Sequence, residues 1–312
     1  MTEDMGRVLK IMRVLVSLVV FMLLGAGLTC MLWIIPGISD FLSEIQLGPA
    51  ILGLSLTVIS VWLLLTILFG RIYCSTVCPM GVLMDISARI PKLTARGRRR
   101  VYRYDAPDNK LRGAMLIIAV ISALVGFNFL LSVLDPYSVF CRICNDVCNP
   151  ILAFVARKLD GVGLEGGYAA MAVTTTVASS IFATLILAIT MAVSMMFGRT
   201  ICNTMCPVGT ILGAISRYSI YQFDVDTDLC TQCRKCESVC KSRCIDMQDH
   251  VVDSTRCVVC FNCVSVCPNN ALRYTTNRKR LSTPLMQRIK TPGRQAEPTF
   301  DSANTISKNL KK

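Results

Sequence analysis

Four long segments of the chain contain no Asp, Glu, Lys or Arg, so we predict that each forms a membrane-spanning helix. These segments are residues 14–39, 45–70, 113–134 and 166–198. A helix needs about 20 apolar residues to cross the hydrocarbon core of a bilayer, and every segment is at least that long. The pattern therefore predicts an α-helical membrane protein with four transmembrane helices.

The charges of the connecting segments predict which side of the membrane each one faces. Residues 71–112 carry ten Lys and Arg against three Asp, whereas residues 35–48 carry no Lys or Arg and residues 135–165 carry three. Basic residues collect in cytoplasmic loops. We therefore predict that the N-terminus at 1–13 and the C-terminus are cytoplasmic, with a basic cytoplasmic loop at 91–112 and an outer loop at 135–165.

The composition supports a membrane protein and narrows the metal chemistry. The chain is 53% hydrophobic, contains 17 cysteines and has a single histidine, His250. One histidine cannot supply two axial ligands to haem, so we expect metal binding through thiolates. The net charge of +13 falls largely in loops that flank the predicted helices and in a polar tail at 276–312. This placement favours contact with lipid over binding to nucleic acid, and we predict that the tail is disordered.

The second and fourth predicted helices end in the same motif, F-G-R-x-x-C-x-x-x-C-P-x-G, at residues 69–81 and 197–209. The chain therefore contains two membrane repeats, residues 14–90 and 113–218, and each is a helical hairpin that ends in this motif. A pseudo-twofold arrangement of the repeats would bring the two motifs together. Their cysteines are candidate redox or metal-binding residues, namely Cys74, Cys78, Cys202 and Cys206.

Proline after the second cysteine of each motif predicts that Cys78 and Cys206 are N-cap residues of short helices. The helix dipole, together with Arg71 or Arg199, is expected to lower the pKa of these thiols and to favour thiolate. Four such sulfurs are suited either to one metal centre or to reversible disulfide exchange. The residues alone leave both alternatives open, beside a structural role as buried cysteines.

Residues 222–275 contain two cysteine runs with the same spacing, C-x2-C-x2-C-x3-C. The runs are Cys230, Cys233, Cys236 and Cys240, then Cys257, Cys260, Cys263 and Cys267. They resemble a bacterial two-cluster ferredoxin, an α+β domain in which the fourth cysteine of each run binds the cluster of the other run. The resemblance implies one [4Fe–4S] cluster at Cys230, Cys233, Cys236 and Cys267, and a second at Cys257, Cys260, Cys263 and Cys240. Zinc and structural disulfides are weaker alternatives.

Five cysteines lie outside these motifs and runs. Cys141, Cys144 and Cys148 are in the predicted outer loop, and Cys30 lies near the outer end of the first predicted helix. They form a candidate outer site, where a thiolate-bound centre would extend an electron path across the bilayer. A disulfide is the alternative, because the outer side of a bacterial inner membrane is oxidising. Cys244 is predicted to be a small buried residue, with the alternative that it alters the surroundings of the neighbouring cluster.

Two hairpins ending in C-x-x-x-C-P, followed by a two-cluster ferredoxin run, resemble the membrane polyferredoxins of the NapH, NosR and CcoG type. The resemblance covers residues 10–275. It implies an iron–sulfur protein of a bacterial or archaeal inner membrane, crossing it several times. Such a protein would relay electrons between the quinol pool or a cytoplasmic donor and a membrane or periplasmic oxidoreductase. Lipid, electron-carrier subunits and quinol are the partners that it implies.

Two other functions remain as alternatives, and no catalytic residue is assigned. One is direct redox catalysis, as a quinol dehydrogenase or a cupric reductase for oxidase assembly. The other is a redox-sensing maturation factor. We favour an electron-transfer component of an oxidoreductase complex, because the chain contains many thiolate ligands for electron carriers but shows no evident substrate pocket.

Overall fold

The computed structural model describes residues 3–29, 36–90, 102–158 and 176–276. Several parts of the sequence discussed above lie outside these ranges: residues 30–35 of the first predicted helix, which include Cys30, residues 91–101 of the predicted basic loop, residues 159–175 across the predicted outer loop and the start of the fourth predicted helix, and residues 277–312 of the predicted tail. The described residues all belong to one compact unit.

The helical part forms in two stretches. The first contains α1 (Glu3–Leu28), α2 (Pro36–Glu44), α3 (Leu47–Leu52), α4 (Leu56–Phe69), α5 (Tyr73–Thr76) and α6 (Pro79–Ser87). The second contains α7 (Asn109–Val125), α8 (Asn128–Leu134), α9 (Pro136–Ile143), a π-helical turn (Cys144–Cys148), α10 (Asn149–Lys158), α11 (Val177–Phe197), α12 (Thr200–Thr204) and α13 (Pro207–Ser216).

Three of the described helices are long and apolar enough to cross a membrane. They are Met5–Leu28 in α1, Pro136–Val155 across α9 and α10, and Val177–Phe197 in α11. The first and the last correspond to the first and fourth predicted segments. On α11 the apolar Ile181 and Leu185 are exposed while Thr190 and Ser194 are buried. Apolar side chains outside and small polar ones inside are expected for a helix that faces lipid.

The other two predicted segments are interrupted. The second is divided between α3 and α4, with a break at Leu54, whose φ of 53° is left-handed, and α4 has only 14 residues. The third is divided by Gly126, whose left-handed φ of 77° ends α7 after 17 residues. Both helices are shorter than the roughly 20 residues that cross a bilayer unaided, so their lengths do not confirm four spans.

The predicted outer loop at 135–165 requires a correction, because it is helical from Pro136 to Lys158. The Asp135 carboxylate caps this helix, since its Oδ2 accepts a hydrogen bond of 2.8 Å from the backbone N–H of Ser138. Pro136 then occupies the first helical position, where its missing N–H costs nothing. The prediction relied on low charge and on cysteine content, and it overlooked this helix-start signal.

The C-terminal module is built from two similar halves. Its elements are β1 (Gln222–Val225), α14 (Lys235–Ser238), β2 (Ile245–Asp246), β3 (Val251–Val252), a 3-10 turn (Val264–Val266) and β4 (Leu272–Thr275). Strand β1 pairs antiparallel with β4, and β2 pairs antiparallel with β3. Each sheet therefore joins one strand from each half, and the apolar core lies between the halves, around Phe223, Ile245 and Val264.

This module packs against the ends of the helices that carry the repeated motif. The Tyr274 hydroxyl donates a 2.7 Å hydrogen bond to the Phe69 carbonyl at the end of α4. The Arg199 backbone N–H, just after α11, donates one of 2.9 Å to the Lys241 carbonyl. Lys10 on α1 donates one of 3.1 Å to the Ser265 hydroxyl. These contacts hold the cysteine runs next to the two motifs.

Candidate metal centres

The structure brings the cysteines of the two C-x-x-x-C-P motifs together. Cys74, Cys78 and Cys202 are buried in one apolar core, and the partly buried Cys206 packs against it. Cys78 lies within electrostatic range of the other three thiols. The two motifs, which are 128 residues apart in the sequence, therefore form a single site to which each repeat contributes two cysteines.

The second residue of each motif is a glycine, and its backbone conformation favours glycine. Gly70 and Gly198 end α4 and α11 with φ of 80° and 71°, in the left-handed region that glycine adopts without strain. A side chain at Gly198 would also collide with the Lys241 carbonyl of the ferredoxin-like module. The two glycines therefore turn the chain out of the long helices and into the cysteine motifs.

The arginine of each motif reaches across to the other repeat. Arg71 donates a 2.9 Å hydrogen bond to Asn203 Oδ1 of the second motif. Arg199 donates one of 2.7 Å to the Cys74 carbonyl and one of 3.0 Å to the Gly81 carbonyl, both in the first motif. Both arginines are fully buried. These crossed contacts join the repeats at the thiols.

The last glycine of each motif makes room for these arginines. A Cβ on Gly209 would meet the Cys202 carbonyl and would lie 2.9 Å from Arg71 Nη2. A Cβ on Gly81 would likewise meet the Cys74 carbonyl, with Arg199 Nη1 at 3.5 Å. Each residue type of the motif F-G-R-x-x-C-x-x-x-C-P-x-G thus has a structural role. The first glycine turns the chain, the arginine crosses to the other repeat, and the two cysteines supply thiols. The proline starts a short helix, and the last glycine leaves space for the arginine of the other motif.

Positive charge exceeds negative charge around these thiols. Asp85 on α6 is buried and forms ion pairs with Arg199 at 2.8 Å, Lys241 at 3.2 Å and Arg13 at 3.2 Å. Burial alone would raise the pKa of Asp85, but the three cations hold it well below its usual range. Arg71 makes no ion pair to a carboxylate within the described ranges, and its Nη2 lies 3.8 Å from Cys74 Sγ. Thiolates at this site would offset the excess of positive charge.

The expected lowering of the thiol pKa is wrong for this site. Cys78 and Cys206 do occupy N-cap positions before Pro79 and Pro207, as predicted, and Cys206 Sγ accepts a 3.3 Å hydrogen bond from the Gly209 N–H. Burial nevertheless raises the pKa of Cys78 well above its ordinary value, and the neighbouring thiols raise it further. Desolvation outweighs the dipoles of these short helices. A metal that binds here must therefore displace thiol protons.

The structure shows where the cysteines of the ferredoxin-like module lie. One pocket is lined by the first predicted set, Cys230, Cys233, Cys236 and Cys267. In the second set, Cys263 lies within electrostatic range of Cys260, Cys257 and Cys240. The assignment of these cysteines as ligands stays a prediction. In the described part of the chain, no three His, Cys, Asp or Glu side chains converge closely enough to bind one bare metal ion.

The backbone around both cysteine sets is left-handed at matched positions, 27 residues apart. Residues at these positions have φ between 50° and 58°: Gln232 and Val259, Arg234 and Phe261, Arg243 and Asn270. For a β-branched residue such as Val259 this conformation costs about 1–3 kcal/mol. Alternating right- and left-handed residues aim successive N–H groups at an anion, as in many iron–sulfur sites. The donor set and the backbone therefore both fit a thiolate-bound cluster.

The candidate outer cysteines lie on one helical stretch. Cys141, Cys144 and Cys148 pack against the same apolar core that contains Cys74 and Cys78. Cys30 lies outside the described residues, but the nearby Leu28 carbonyl accepts a 3.5 Å hydrogen bond from Asn149. The structure thus places three of the four predicted outer cysteines on the same apolar core as the motif thiols.

An apolar cavity borders the motif site on another side. It is lined by Ile51, Leu116, Ala119, Val120, Pro207 and Ile211, among others, and by one acid, Asp135. Pro207 directly follows Cys206. Asp135 is buried, and its Oδ1 has no hydrogen-bond partner. Burial raises the pKa of Asp135, although hydrogen bonds from Ser138 act in the opposite direction.

Sequence reasoning missed Asp85, Asp135 and this cavity. Two signals were present: Asp85 is an isolated acid in an apolar helix, and Lys241 stands where ferredoxins usually have proline. The structure explains Lys241, because its ammonium group pairs with Asp85.

Comparison with known proteins identifies the type of domain. Two families, each described as a 4Fe-4S binding domain, match this chain, one at residues 51–100 and 180–223 and the other at residues 250–273. The first match covers both C-x-x-x-C-P motifs, and the second covers the second ferredoxin run. No solved structure matches the chain significantly.

Several curated proteins are similar over part of their length. The uncharacterized protein MJ0749 of Methanocaldococcus jannaschii is 25% identical over 65% of this chain and 64% of its own. The methylamine utilization ferredoxin-type protein MauN of Paracoccus denitrificans is 24% identical over 62% and 54%. The putative electron transport protein YccM of Escherichia coli is 22% identical over 62% and 48%. The chain thus spans about half to two thirds of these relatives.

Proposed function

We propose that this chain, which matches two 4Fe-4S binding domain families and has candidate membrane helices, relays electrons within a membrane. The path would run between two clusters in residues 222–275 and a third thiolate-bound centre at Cys74, Cys78, Cys202 and Cys206. The observation that carries this proposal is the packing of Cys260, from the second ferredoxin run, against the apolar core that contains the motif thiols.

Contacts around Cys260 support transfer between these two sites. Its neighbour Val258 is almost fully buried in the same core. Arg199 lies within electrostatic range of both Cys202 and Cys260. Cys260, a predicted ligand of the ferredoxin-like module, and the motif thiols therefore share one apolar core. [4Fe–4S] clusters exchange one electron at a time.

The charge around the motif thiols supports a metal centre there. Buried cations are costly unless an anion compensates them, and Asp85 is one carboxylate among Arg13, Arg199 and Lys241, with Arg71 nearby. A cluster held by four thiolates is a net anion. When bound, it would supply the compensating charge and a one-electron redox couple. A reversible disulfide would supply no such charge.

Analysis of iron and acid-labile sulfide in anaerobically purified protein tests this proposal. Three [4Fe–4S] clusters correspond to about twelve iron atoms per chain, and the ferredoxin module alone to about eight. We expect the double variant Cys74→Ser, Cys202→Ser to lose about four. Thr76→Ala, which changes the spacer of the same motif, is the matched control and should keep all of them. Equal iron content in the wild type and the double variant would reject the third centre.

We further propose that Cys141 on α9 and Cys144 and Cys148 in the π-helical turn, with Cys30, extend the relay towards the predicted outer side. Their packing on the core that holds Cys74 supports this extension. Removing Cys141, Cys144 and Cys148 together should then slow electron transfer to an outer acceptor. If these cysteines form a disulfide instead, counting of free thiols in the denatured protein should find one pair oxidised.

The apolar cavity favours quinol as the electron donor or acceptor, which is the second candidate function. A lipid-soluble hydroquinone needs an apolar site with a few polar groups, and the unpartnered Asp135 Oδ1 offers one acceptor for its hydroxyl group. Asp135→Asn should slow reduction of the clusters by a water-soluble quinol and leave the iron content unchanged. The exposed Glu44→Gln is the control. Unchanged reduction in Asp135→Asn would reject this site.

A further inference from the structure

Cys244 is the one cysteine of the sequence that belongs to neither the motifs, the ferredoxin runs nor the outer group. It lies just before β2 and is 1% exposed. Its Sγ is 3.5 Å from Cys240 Sγ and also within hydrogen-bonding reach of Cys257. Both neighbours belong to the same predicted ligand set. A fifth thiol therefore lies beside this set.

The position of Cys244 is fixed by the surrounding backbone. Its carbonyl accepts a 2.8 Å hydrogen bond from the Asp253 N–H, and the next residue, Ile245, pairs with Val252 in the small sheet. The pairing holds the Cys244 backbone in place, and its side chain is buried within the module. A thiol is a weak hydrogen-bond donor, and a metal-bound thiolate is an acceptor. The geometry therefore directs the Cys244 S–H towards ligand sulfur.

The other half of the module lacks this thiol. The two cysteine runs are related by 27 residues, and the counterpart of Cys244 at this offset is Ala271. Ala271 lines the cavity of the first cysteine set, beside Cys267. The two predicted clusters thus have the same ligand spacing and the same left-handed backbone positions, but they differ in one potential donor.

We propose that Cys244 is a positioning residue that hydrogen-bonds to a ligand sulfur of the cluster at Cys240, Cys257, Cys260 and Cys263 and raises its reduction potential. The proposal rests on the clusters of the proposed function. A hydrogen bond to a cluster thiolate stabilises the more negative, reduced form. The cluster next to the motif thiols would then be the better acceptor of the two. Electrons that enter at the Cys230 set would pass downhill towards the helices.

EPR-monitored redox titration of the full chain tests this role. We expect Cys244→Ala to lower the midpoint potential of one cluster signal while the other stays in place. Cys244→Ser, which keeps an O–H donor, should restore most of the difference. The matched gain-of-function variant is Ala271→Cys, which should raise the potential of the other cluster. Iron and sulfide are measured for each variant.

The outcomes separate this inference from the proposed function. Full iron content with unchanged potentials in Cys244→Ala would overturn the donor role and leave the relay intact. Loss of about four iron atoms in that variant would make Cys244 a ligand and would also overturn the donor role. Fewer than about eight iron atoms in the wild type would refute the two-cluster module, and the inference with it.

Discussion

Replacing Asp85 by asparagine should destabilise the joint between the helices and the ferredoxin-like module. Asp85 contacts Arg13 on α1, Arg199 after α11 and Lys241 in the cysteine module. Asparagine keeps the shape of the side chain but removes its charge. Three cations then remain buried with no carboxylate between them.

The magnitude follows from the burial of this network. Removing one partner of a buried ion pair costs about 3–5 kcal/mol, because the other charge is left uncompensated in a medium that solvates it poorly. The Asp85 side chain is 9% exposed, so the full range applies. In a folded unit of this size, each kcal/mol shifts the melting temperature by about 2–4 °C, which predicts a decrease of about 6–20 °C.

The assay is thermal unfolding of the purified, cluster-loaded protein in detergent, followed by circular dichroism and by bleaching of the cluster absorbance. Asp105→Asn is the control, since Asp105 pairs with Arg243 at 3.0 Å but is 58% exposed. An exposed pair contributes about 0.2–1 kcal/mol. If both variants melted within 2 °C or so of the wild type, the argument from buried charge would be refuted.

Three further outcomes follow from the same contacts. The pKa of Asp85 is lowered in the folded state, so its contribution to the stability of the fold is present above its ordinary pKa of about 4 and is lost as the pH falls further. The stability of the wild type should therefore be flat near neutral pH and decline below about pH 4. An equal decline in acid in Asp85→Asn would contradict this. Gly209→Ala should push against the Cys202 carbonyl and against Arg71 and reduce iron at the motif site, whereas Gly25→Ala, which meets no neighbouring atom, should keep it; equal iron contents would argue against tight packing of these groups around the motif thiols. Ala119→Phe should fill the apolar cavity and slow reduction by quinol at constant iron content, and an undiminished rate would place quinol elsewhere.

Much of the candidate site was accessible from the sequence. The spacing of the cysteine runs and the repeated motif can be read directly, because ligands of one centre must recur at fixed intervals along the chain. The 4Fe-4S family matches fall on both motifs and on the second cysteine run, and together with the electron-transport relatives they confirm the predicted resemblance to ferredoxin-type electron-transport proteins. The contacts between the motifs could not be read in this way, since Arg71 and Asn203 are 132 residues apart and no local pattern joins them.

The long helices α1 and α11 could be predicted from the absence of charged residues alone. In lipid, every residue of a span must avoid charge and must pair its backbone groups within the helix, so the signal extends over the whole segment. Only the tertiary structure decided how the remaining apolar segments divide: Gly126 ends one helix early, and Asp135 with Pro136 starts another where a loop was predicted. It also decided which charges share a site. Asp85 meets Arg13, Arg199 and Lys241 from three distant parts of the chain, and such an encounter depends on packing rather than on local sequence.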